Sequence, residues 1–200
     1  MSAAGPEARR ALAPAHRLRT PETEPGDGDI VARVLRGDSD SFAILVRRHQ
    51  EALFRHARGM GLDPDTAADM VQDALVKAYG GLTHCRNPDR FRSWLFRILR
   101  NCCLDYLKNV RRRDVSLEDP ALGDAAARVQ PHDETRAYLG AALGRLSPLL
   151  REAFLLRHEA GYTYDEVAEI TDASPSAVKM RVHRAREELR AQLLEHGGGM

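Results

Sequence analysis

Apolar residues recur at intervals of three and four along two long parts of the chain, which is the spacing of amphipathic helices. The first part spans residues 28–112 and the second spans residues 134–195. We find no run in which apolar and polar residues alternate as in a strand, and no internal repeat. The pattern therefore predicts an all-α chain with two small helical domains.

Three segments lack this periodicity. Residues 1–27 are rich in Ala, Pro, Gly, Arg and Glu, so we predict a disordered N-terminal tail. Residues 113–133 are acidic and contain two prolines, which is typical of a flexible linker between domains. Residues 196–200 are mostly glycine, and we predict a flexible C-terminus.

The segment "GLDPDTAADMVQDALVKAYGGL", residues 61–82, predicts one helix with a defined start and end. Asp63 suits the capping position and Pro64 the first helical position, while Gly80 and Gly81 favour the end of the helix. The apolar seam comprises Ala67, Met70, Val71, Ala74, Leu75 and Ala78. The opposite side carries Asp65, Asp69, Gln72 and Asp73. These polar residues form either a solvated acidic face or a docking surface for a basic partner.

The single tryptophan, Trp94, belongs to the segment "FRSWLFRILRNCCLDYLKNVRRR", residues 91–113. On a helix, one apolar arc contains Phe91, Leu95, Ile98, Leu99, Cys102, Tyr106 and Val110. The opposite side contains Arg90, Arg97, Arg100, Asn101, Lys108 and Arg111. Trp94 falls with Asn101 at the basic edge. It is either a half-buried residue at the rim of a core or an aromatic that stacks on exposed bases.

The segment "GYTYDEVAEITDASPSAVKMRVHRAREELR", residues 161–190, has the layout of a helix-turn-helix. Thr163 and Glu166 can form a capping box, and Ser174 followed by Pro175 can start a second helix. One seam of that helix contains Val178, Val182, Ala185 and Leu189. Its other side presents Ser176, Lys179, Met180, His183, Arg184 and Glu187, flanked by Arg181 and Arg186. This division predicts a DNA recognition helix, and the alternative is an exposed helix rich in charge.

Net charge is +1, but the basic residues are concentrated in two places. Residues 86–113 contain nine Arg or Lys against two Asp, and residues 175–190 contain five against two Glu. The apolar content of 43% is sufficient for one or two small cores. The charge distribution therefore predicts two separate basic surfaces, as nucleic-acid binding requires.

Several classes of protein are disfavoured by the same sequence. The three cysteines form no CxxC or Cys/His cluster, so we expect no metal site, and we expect no cofactor. The eight histidines are scattered and no nucleophile or phosphate-binding glycine loop accompanies them, so we expect no catalytic residue. No run reaches the ~20 apolar residues of a membrane span, so we expect no membrane insertion and a cytoplasmic protein.

In this order, the segments resemble those of bacterial RNA polymerase sigma factors of the extracytoplasmic-function type in the sigma-70 family. Such factors have sigma domains 2 and 4, which would correspond to residues 28–112 and 134–195. "DMVQDALVKAY" resembles the helix that docks on the clamp coiled coil of core polymerase. The resemblance implies that Asp69, Gln72 and Asp73 are polymerase contacts.

The resemblance also implies two DNA-binding sets. The segment around Trp94 resembles the one that recognises and melts the −10 promoter element, and the preceding loop would enclose a flipped base. Its implied DNA contacts are Arg90, Trp94, Arg97, Arg100, Asn101, Lys108 and Arg111. The helix-turn-helix resembles the −35 recognition module. Its implied contacts are Ser176, Lys179, Met180, Arg181, His183, Arg184 and Arg186.

The function implied is promoter recognition for core RNA polymerase, with contacts to its clamp and flap regions and inhibition by an anti-sigma factor. An autonomous helix-turn-helix regulator that binds duplex DNA alone is the alternative, and such a protein needs neither the acidic helix nor the tryptophan helix. Two positions depart from the family pattern. Leu146-Ser147-Pro148 stands where Leu-Pro is common, and Met180 stands where a small or polar residue is common. The pair Cys102-Cys103 has no role that the pattern assigns.

Overall fold

A computed structural model describes residues 25–115 and 134–197. Within these two ranges all regular structure is helical and no strand occurs, which confirms the all-α prediction. The predicted tail up to residue 24, the linker residues 116–133 and residues 198–200 lie outside the described residues. No helix in the described ranges is long and apolar enough to cross a bilayer.

The N-terminal domain contains four helices: α1 (Asp27–Leu35), α2 (Phe42–Gly59), α3 (Pro64–Gly80) and α4 (Phe91–Val115). Short 3-10 turns at Ser39–Ser41, Leu82–His84 and Pro88–Arg90 connect them. Helix α1 begins at Asp27, the last residue of the predicted disordered tail. Gly26 has an extended backbone there, and its N–H donates to the Asp29 carboxylate at 3.2 Å. This contact extends the helix because it satisfies an N–H that the first turn leaves free.

Helix α3 starts as its sequence predicts. The Asp63 carboxylate accepts hydrogen bonds from the N–H groups of Asp65 and Thr66 at 3.1 and 3.0 Å. Pro64 is the first helical residue, where a missing N–H costs nothing. The predicted seam of α3 packs against α2 and α4, and Ala67, Val71, Ala74 and Ala78 are buried.

The C-terminal domain contains α5 (Glu134–Arg145), α6 (Pro148–His158), α7 (Tyr164–Thr171) and α8 (Pro175–Gly197). The predicted capping box at the start of α7 is present: the Thr163 N–H donates to Glu166 Oε2 at 2.8 Å, and the Glu166 N–H donates to Thr163 Oγ1 at 3.3 Å. Asp172 in the turn has φ +52°, a left-handed conformation that Asp tolerates. The helix-turn-helix prediction is confirmed.

Helix α8 divides into two sides as predicted. Its seam of Val178, Val182, Ala185 and Leu189 is buried. Val178 and Val182 pack in one cluster with residues of α6 and α7, namely Ala153, Leu156, Val167 and Ile170. Ala185 and Leu189 pack in a second cluster with Ala142 of α5 and with Leu146. The other side of α8 is left facing outward.

The two domains pack against each other through α4, which is buried on two sides. Its predicted apolar arc faces α2 and α3, and Leu95 and Leu99 are fully buried there. Phe96 lies outside that arc and is nevertheless 0% exposed, because its ring contacts Tyr162 of the C-terminal domain at 5.2 Å between centroids. The sequence pattern predicted one buried face of this helix and missed the second.

His56 on α2 lies beneath this domain contact. Its side chain is buried, its ring is 5.5 Å from the Phe96 ring between centroids, and neither ring nitrogen has a hydrogen-bond partner among the described residues. Burial, with a smaller contribution from the charge of Arg100, lowers the pKa of His56 from 6.5 to about 4. The folded protein therefore keeps His56 neutral in a pH range where the unfolded chain is protonated.

We expect the free energy of unfolding to fall as pH drops from 6.5 toward 4, because the unfolded state binds the extra proton in that window. Between pH 7 and pH 5, the free energy of unfolding of His56→Leu should fall by about 2 kcal/mol less than that of the wild-type protein. Urea denaturation at both pH values measures this. The control, His84→Gln at an exposed histidine, should keep the wild-type pH dependence. Equal losses in His56→Leu and wild type would contradict this assignment.

Candidate nucleic-acid interface

A cleft of about 780 Å³ opens beside the N-terminal half of α4. Its walls come from the loop before α4, from α4 itself and from α7 of the C-terminal domain. The lining residues are Thr83, His84, Cys85, Arg86, Asn87, Arg90, Ser93, Trp94, Arg97, Glu169 and Ile170. The loop that was predicted to enclose a flipped base therefore does form one side of a cleft next to Trp94.

Trp94 lies at the rim of the core, as one of the two alternatives predicted, and its stacking on bases stays a prediction. It is half-buried and packs against the core, with its ring 5.9 Å from Phe91 between centroids and tilted by 45°. Part of its side chain also lines the cleft, between Arg90 and Arg97. An aromatic surface flanked by guanidinium groups is suited to stacking on a base while the arginines contact phosphates.

Other predicted −10 residues lie on the outer side of α4. Arg97, Asn101 and Lys108 are exposed. The Lys108 ammonium is 3.8 Å from the Asp105 carboxylate one turn away, and both side chains are mostly in solvent. Such a pair contributes little to stability, so Lys108 remains available to a stronger anionic partner. Arg111 lies on α4, but its side chain is outside the described residues.

Two predicted DNA-binding arginines are already paired with carboxylates. Arg100 Nε donates to Glu152 Oε1 at 2.6 Å, and the two side chains are 16% and 2% exposed. Burial raises the pKa of Glu152, while the adjacent Arg100 charge opposes that shift. At the mouth of the cleft, the exposed Arg90 pairs with Glu169 of α7. Both partners belong to the C-terminal domain.

The predicted −35 residues of α8 are presented to solvent with one exception. The exposed residues are Ser176, Lys179, Met180, His183, Arg184 and Arg186. Arg181 is half-buried, and its charge is near Glu152, where it opposes the rise in the pKa of that carboxyl caused by burial. Arg181 therefore faces the contact between the domains, whereas the rest of the set faces outward.

The acidic face of α3 is exposed at Asp69, Gln72 and Asp73. Asp69 and Asp73 are one turn apart, so their carboxylates lie on the same side of the helix. Val76 follows them on that side and is 66% exposed. The face is therefore acidic with an apolar continuation.

Beside this face, α2 and α3 form a mainly apolar groove of about 750 Å³. Sequence reasoning missed it. Its walls comprise Phe42, Val46, Gln50, Glu51, Phe54, Ala68, Val71, Gln72, Leu75, Val76 and Tyr79. A signal was available, because Val76 and Tyr79 fall outside the seam of α3 on a helical projection although both are apolar.

The cysteines add no metal site. Cys85, Cys102 and Cys103 are free and buried, and burial raises the pKa of the Cys103 thiol to about 12. Lys77 Nζ donates to Cys102 Sγ at 3.3 Å. In residues 25–115 and 134–197, no cluster of three or more His, Cys, Asp or Glu has the arrangement that a metal ion needs.

Comparisons with known proteins match both domains. The family model described as "Sigma-70 region 2" matches residues 45–113, and the model "Sigma-70, region 4" matches residues 136–189. The ECF RNA polymerase sigma factor SigM of Mycobacterium tuberculosis is 34% identical over 173 residues, covering 86% of each chain. The chain belongs to the extracytoplasmic-function subfamily of the sigma-70 family. The region 2 match includes α3 and most of α4, and the region 4 match includes α6, α7 and most of α8.

Two solved sigma factor structures have the same fold. CnrH, solved with the cytosolic domain of CnrY, has a TM-score of 0.64 and 31% identity, and the match covers 84% of this chain and 96% of that chain. RpoE of Bartonella quintana, solved with the anti-sigma factor NepR, has a TM-score of 0.62 and 29% identity. That match covers 76% of this chain and 96% of RpoE.

We expect two arginines on the exposed side of α8 to contact DNA in different ways. Arg184 is on the outward face, so Arg184→Ala should weaken binding to the cognate −35 site by about 1 to 3 kcal/mol and relax one base position. Arg186 flanks that face, so Arg186→Ala should weaken all sites alike through lost phosphate contact. Transcription from a library of −35 variants by holoenzyme distinguishes the two effects. An even loss across the library for both variants would show that this division of roles is wrong.

Proposed function

We propose that this sigma factor binds core RNA polymerase through α3, recognises the −35 element through α8 and melts the −10 element through α4. The observation that carries the proposal is the presence in one chain of an exposed recognition helix, a tryptophan-lined cleft and an acidic face with an apolar groove. An autonomous regulator needs the recognition helix alone. No described feature favours that alternative over the initiation factor.

The docking surface supports a helical partner with basic residues. Asp69 and Asp73 supply two carboxylates on one side of α3, and Gln72 between them can donate and accept hydrogen bonds. The apolar groove beside them can bury aliphatic side chains of the partner, which supplies binding energy that charge alone does not. Family resemblance makes the clamp coiled coil of core polymerase that partner, and the flap region a second contact.

Strand separation has to be driven by binding energy. Unstacking and unpairing a base costs a few kcal/mol, and the sigma factor has no nucleotide hydrolysis with which to offset it. The opened strand must therefore bind better than the duplex does. Trp94 supplies a stacking surface, Asn101 supplies an amide for hydrogen bonds to a base, and arginines such as Arg97 supply contacts to phosphate.

An anti-sigma factor is the proposed regulatory partner. RpoE of Bartonella quintana was solved with such a factor, and this chain shares its fold. Asp73 lies on the proposed polymerase-binding surface of the N-terminal domain, and Arg184 lies on the proposed DNA-binding surface of the C-terminal domain. Both side chains are exposed. One inhibitor that spans the two domains would shield both, which hydrogen exchange of the complex can measure at these positions.

The general test is a pull-down with core polymerase followed by run-off transcription on fragments of genomic DNA from the source organism. A sigma factor should co-purify with the core enzyme and produce transcripts from discrete start sites. Binding of the chain alone to a duplex site, without association with polymerase and without new transcripts, would favour the autonomous regulator instead.

The acidic face generates a prediction about docking. Asp69→Lys together with Asp73→Lys should weaken association with core polymerase by more than the ~1 kcal/mol of a surface ion pair, because the contact becomes desolvated in the complex. Competition against the wild-type chain for a limiting amount of core enzyme measures the change. The control variant, Asp40→Lys with Glu188→Lys, makes the same change in net charge at two other exposed positions and should compete normally. If both double variants competed equally well for core polymerase, α3 would not be part of the docking surface.

Trp94 generates a prediction about strand opening. Trp94→Ala should leave polymerase binding intact and lower transcription from a duplex promoter, because one stacking surface for the opened strand is lost. A template already unpaired over the −10 region should recover much of the activity, since it removes the cost of unstacking. Trp94→Phe should restore part of the duplex activity, because Phe keeps a smaller aromatic face.

The half-buried position of Trp94 requires a stability control for this experiment. Large-to-small changes in a core cost several kcal/mol, so the unfolding of Trp94→Ala has to be measured alongside its activity. Equal loss on both templates, together with early unfolding, would assign Trp94 to the rim of the core. Opening would then depend on Asn101, the arginines and the loop before α4.

A further inference from the structure

Two arginines that we propose as contacts to promoter phosphates are bound to carboxylates of the protein itself. Arg100 of α4 pairs with Glu152, and Arg90, in the 3-10 turn before α4, pairs with Glu169. Each pair joins the N-terminal domain to the C-terminal domain. Carboxylates and phosphates are both preferred acceptors for the guanidinium fork of arginine. The C-terminal domain therefore occupies positions on α4 and on the turn before it that nucleic-acid phosphates would otherwise take.

The same contact reduces access to Trp94. Glu169 and Ile170 of α7 form one wall of the cleft whose other walls include Trp94 and the loop before α4. A base stacked on Trp94 and a strand running along α4 would have to pass this wall. The contact between the domains and the binding of an opened strand therefore compete for one surface.

Close packing supports these ion pairs. Tyr162 is 2% exposed, with its ring 4.5 Å from the Arg92 guanidinium and 5.2 Å from the Phe96 ring centroid. Arg92 also donates to the carbonyl oxygen of Ala160 at 2.5 Å. Between α2 and α6, Gly59 approaches so closely that a Cβ there would lie 2.7 Å from a Leu155 methyl carbon. The contact between the two domains therefore combines apolar packing with polar interactions.

The other two functional surfaces are open in this arrangement. Asp69 and Asp73 of the docking face are exposed, and so are Lys179 and Arg184 on the recognition helix. Closure of the domains therefore affects one surface selectively. The chain can meet polymerase with its docking face while the −10 surface is still covered.

We propose that the free sigma factor closes on itself, with Glu152 and Glu169 acting as intramolecular substitutes for promoter phosphates at Arg100 and Arg90. The proposal rests on the proposed function of α4 as the −10 surface. It sets an order of events: the closed chain docks on core polymerase through α3, the domains then separate, and the opened strand replaces the two carboxylates.

The physical character of the two ion pairs suits a reversible contact. Separation returns the buried Glu152 and Arg100 to water together, so hydration offsets much of the attraction that is lost. Arg90 and Glu169 are half in solvent already, and such exposed pairs contribute little. The pairs therefore orient the domains, and the apolar contact around Tyr162 supplies most of what polymerase and DNA must overcome.

A reducible crosslink tests closure in solution. Arg90→Cys with Glu169→Cys places thiols at two exposed positions whose side chains touch in the closed chain, and a bis-maleimide with a cleavable disulfide spacer can join them. The native cysteines are buried, so the parent chain and the two single variants serve as controls for background labelling. We expect efficient crosslinking within monomers of the free double variant and little in the controls. Little intramolecular crosslink in the free double variant would overturn closure, whatever its activity.

The crosslinked chain then tests the order of events. It should bind core polymerase as the uncrosslinked double variant does, because the docking face is open. Transcription should fall by at least about tenfold relative to the uncrosslinked double variant on both duplex and unpaired templates, since the Arg100 contact and the stacking surface are blocked. Reduction of the spacer should restore transcription to the level of the uncrosslinked double variant. Undiminished transcription by the crosslinked chain, or loss of its polymerase binding, would overturn the proposal.

The crosslinking yield and the transcription assay together distinguish an error in the proposed closure from an error in the proposed function. The crosslinking yield in the free chain depends on neither polymerase nor DNA. Efficient crosslinking combined with no transcription after reduction, when the wild-type chain also makes no transcript, would reject the initiation function. The same result with an active uncrosslinked double variant would reject reversible closure, because separation of the domains would no longer be sufficient for activity.

Discussion

The burial of α4 on two sides is the constraint on which the rest of the structure depends. Leu95 and Leu99 anchor one side in the N-terminal core, and Phe96 anchors the other against Tyr162 of the C-terminal domain. A helix fixed on both sides leaves a narrow strip for polar residues. The arginines and Trp94 lie along that strip, so the side chains with the strongest affinity for nucleic acid lie at the edges of a protein contact.

Because of this placement, the same side chains stabilise the contact between the domains and are the proposed contacts to DNA. Arg100 orients the domains through Glu152 in the closed chain, and the proposed opened state turns the same guanidinium toward phosphate. Charge-assisted contacts suit such an exchange, because one acceptor replaces another of similar chemistry. An apolar contact such as Phe96 with Tyr162 has no substitute in DNA, so its burial opposes opening and favours the closed chain.

The surfaces of α3 and α8 were predictable because each helix has a defined start and one apolar seam. Once Val178 and Val182 pack inward, the geometry of the helix places Lys179 and Arg184 outward, and the same reasoning exposes Asp69 and Asp73. The groove next to α3 was not predicted. It depends on how α2 and α3 pack, although the apolar Val76 outside the seam was a local indication of it.

The sequence by itself determined the helices, their order and their caps, because three- and four-residue spacing and capping are local properties. Tertiary structure decided the partners of α4. Arg100 and Glu152 are 52 residues apart in the chain, and no local spacing indicates that they meet. The burial of Phe96 likewise depends on Tyr162 of the other domain, and the lowered pKa of His56 depends on burial, which is a property of the assembled fold.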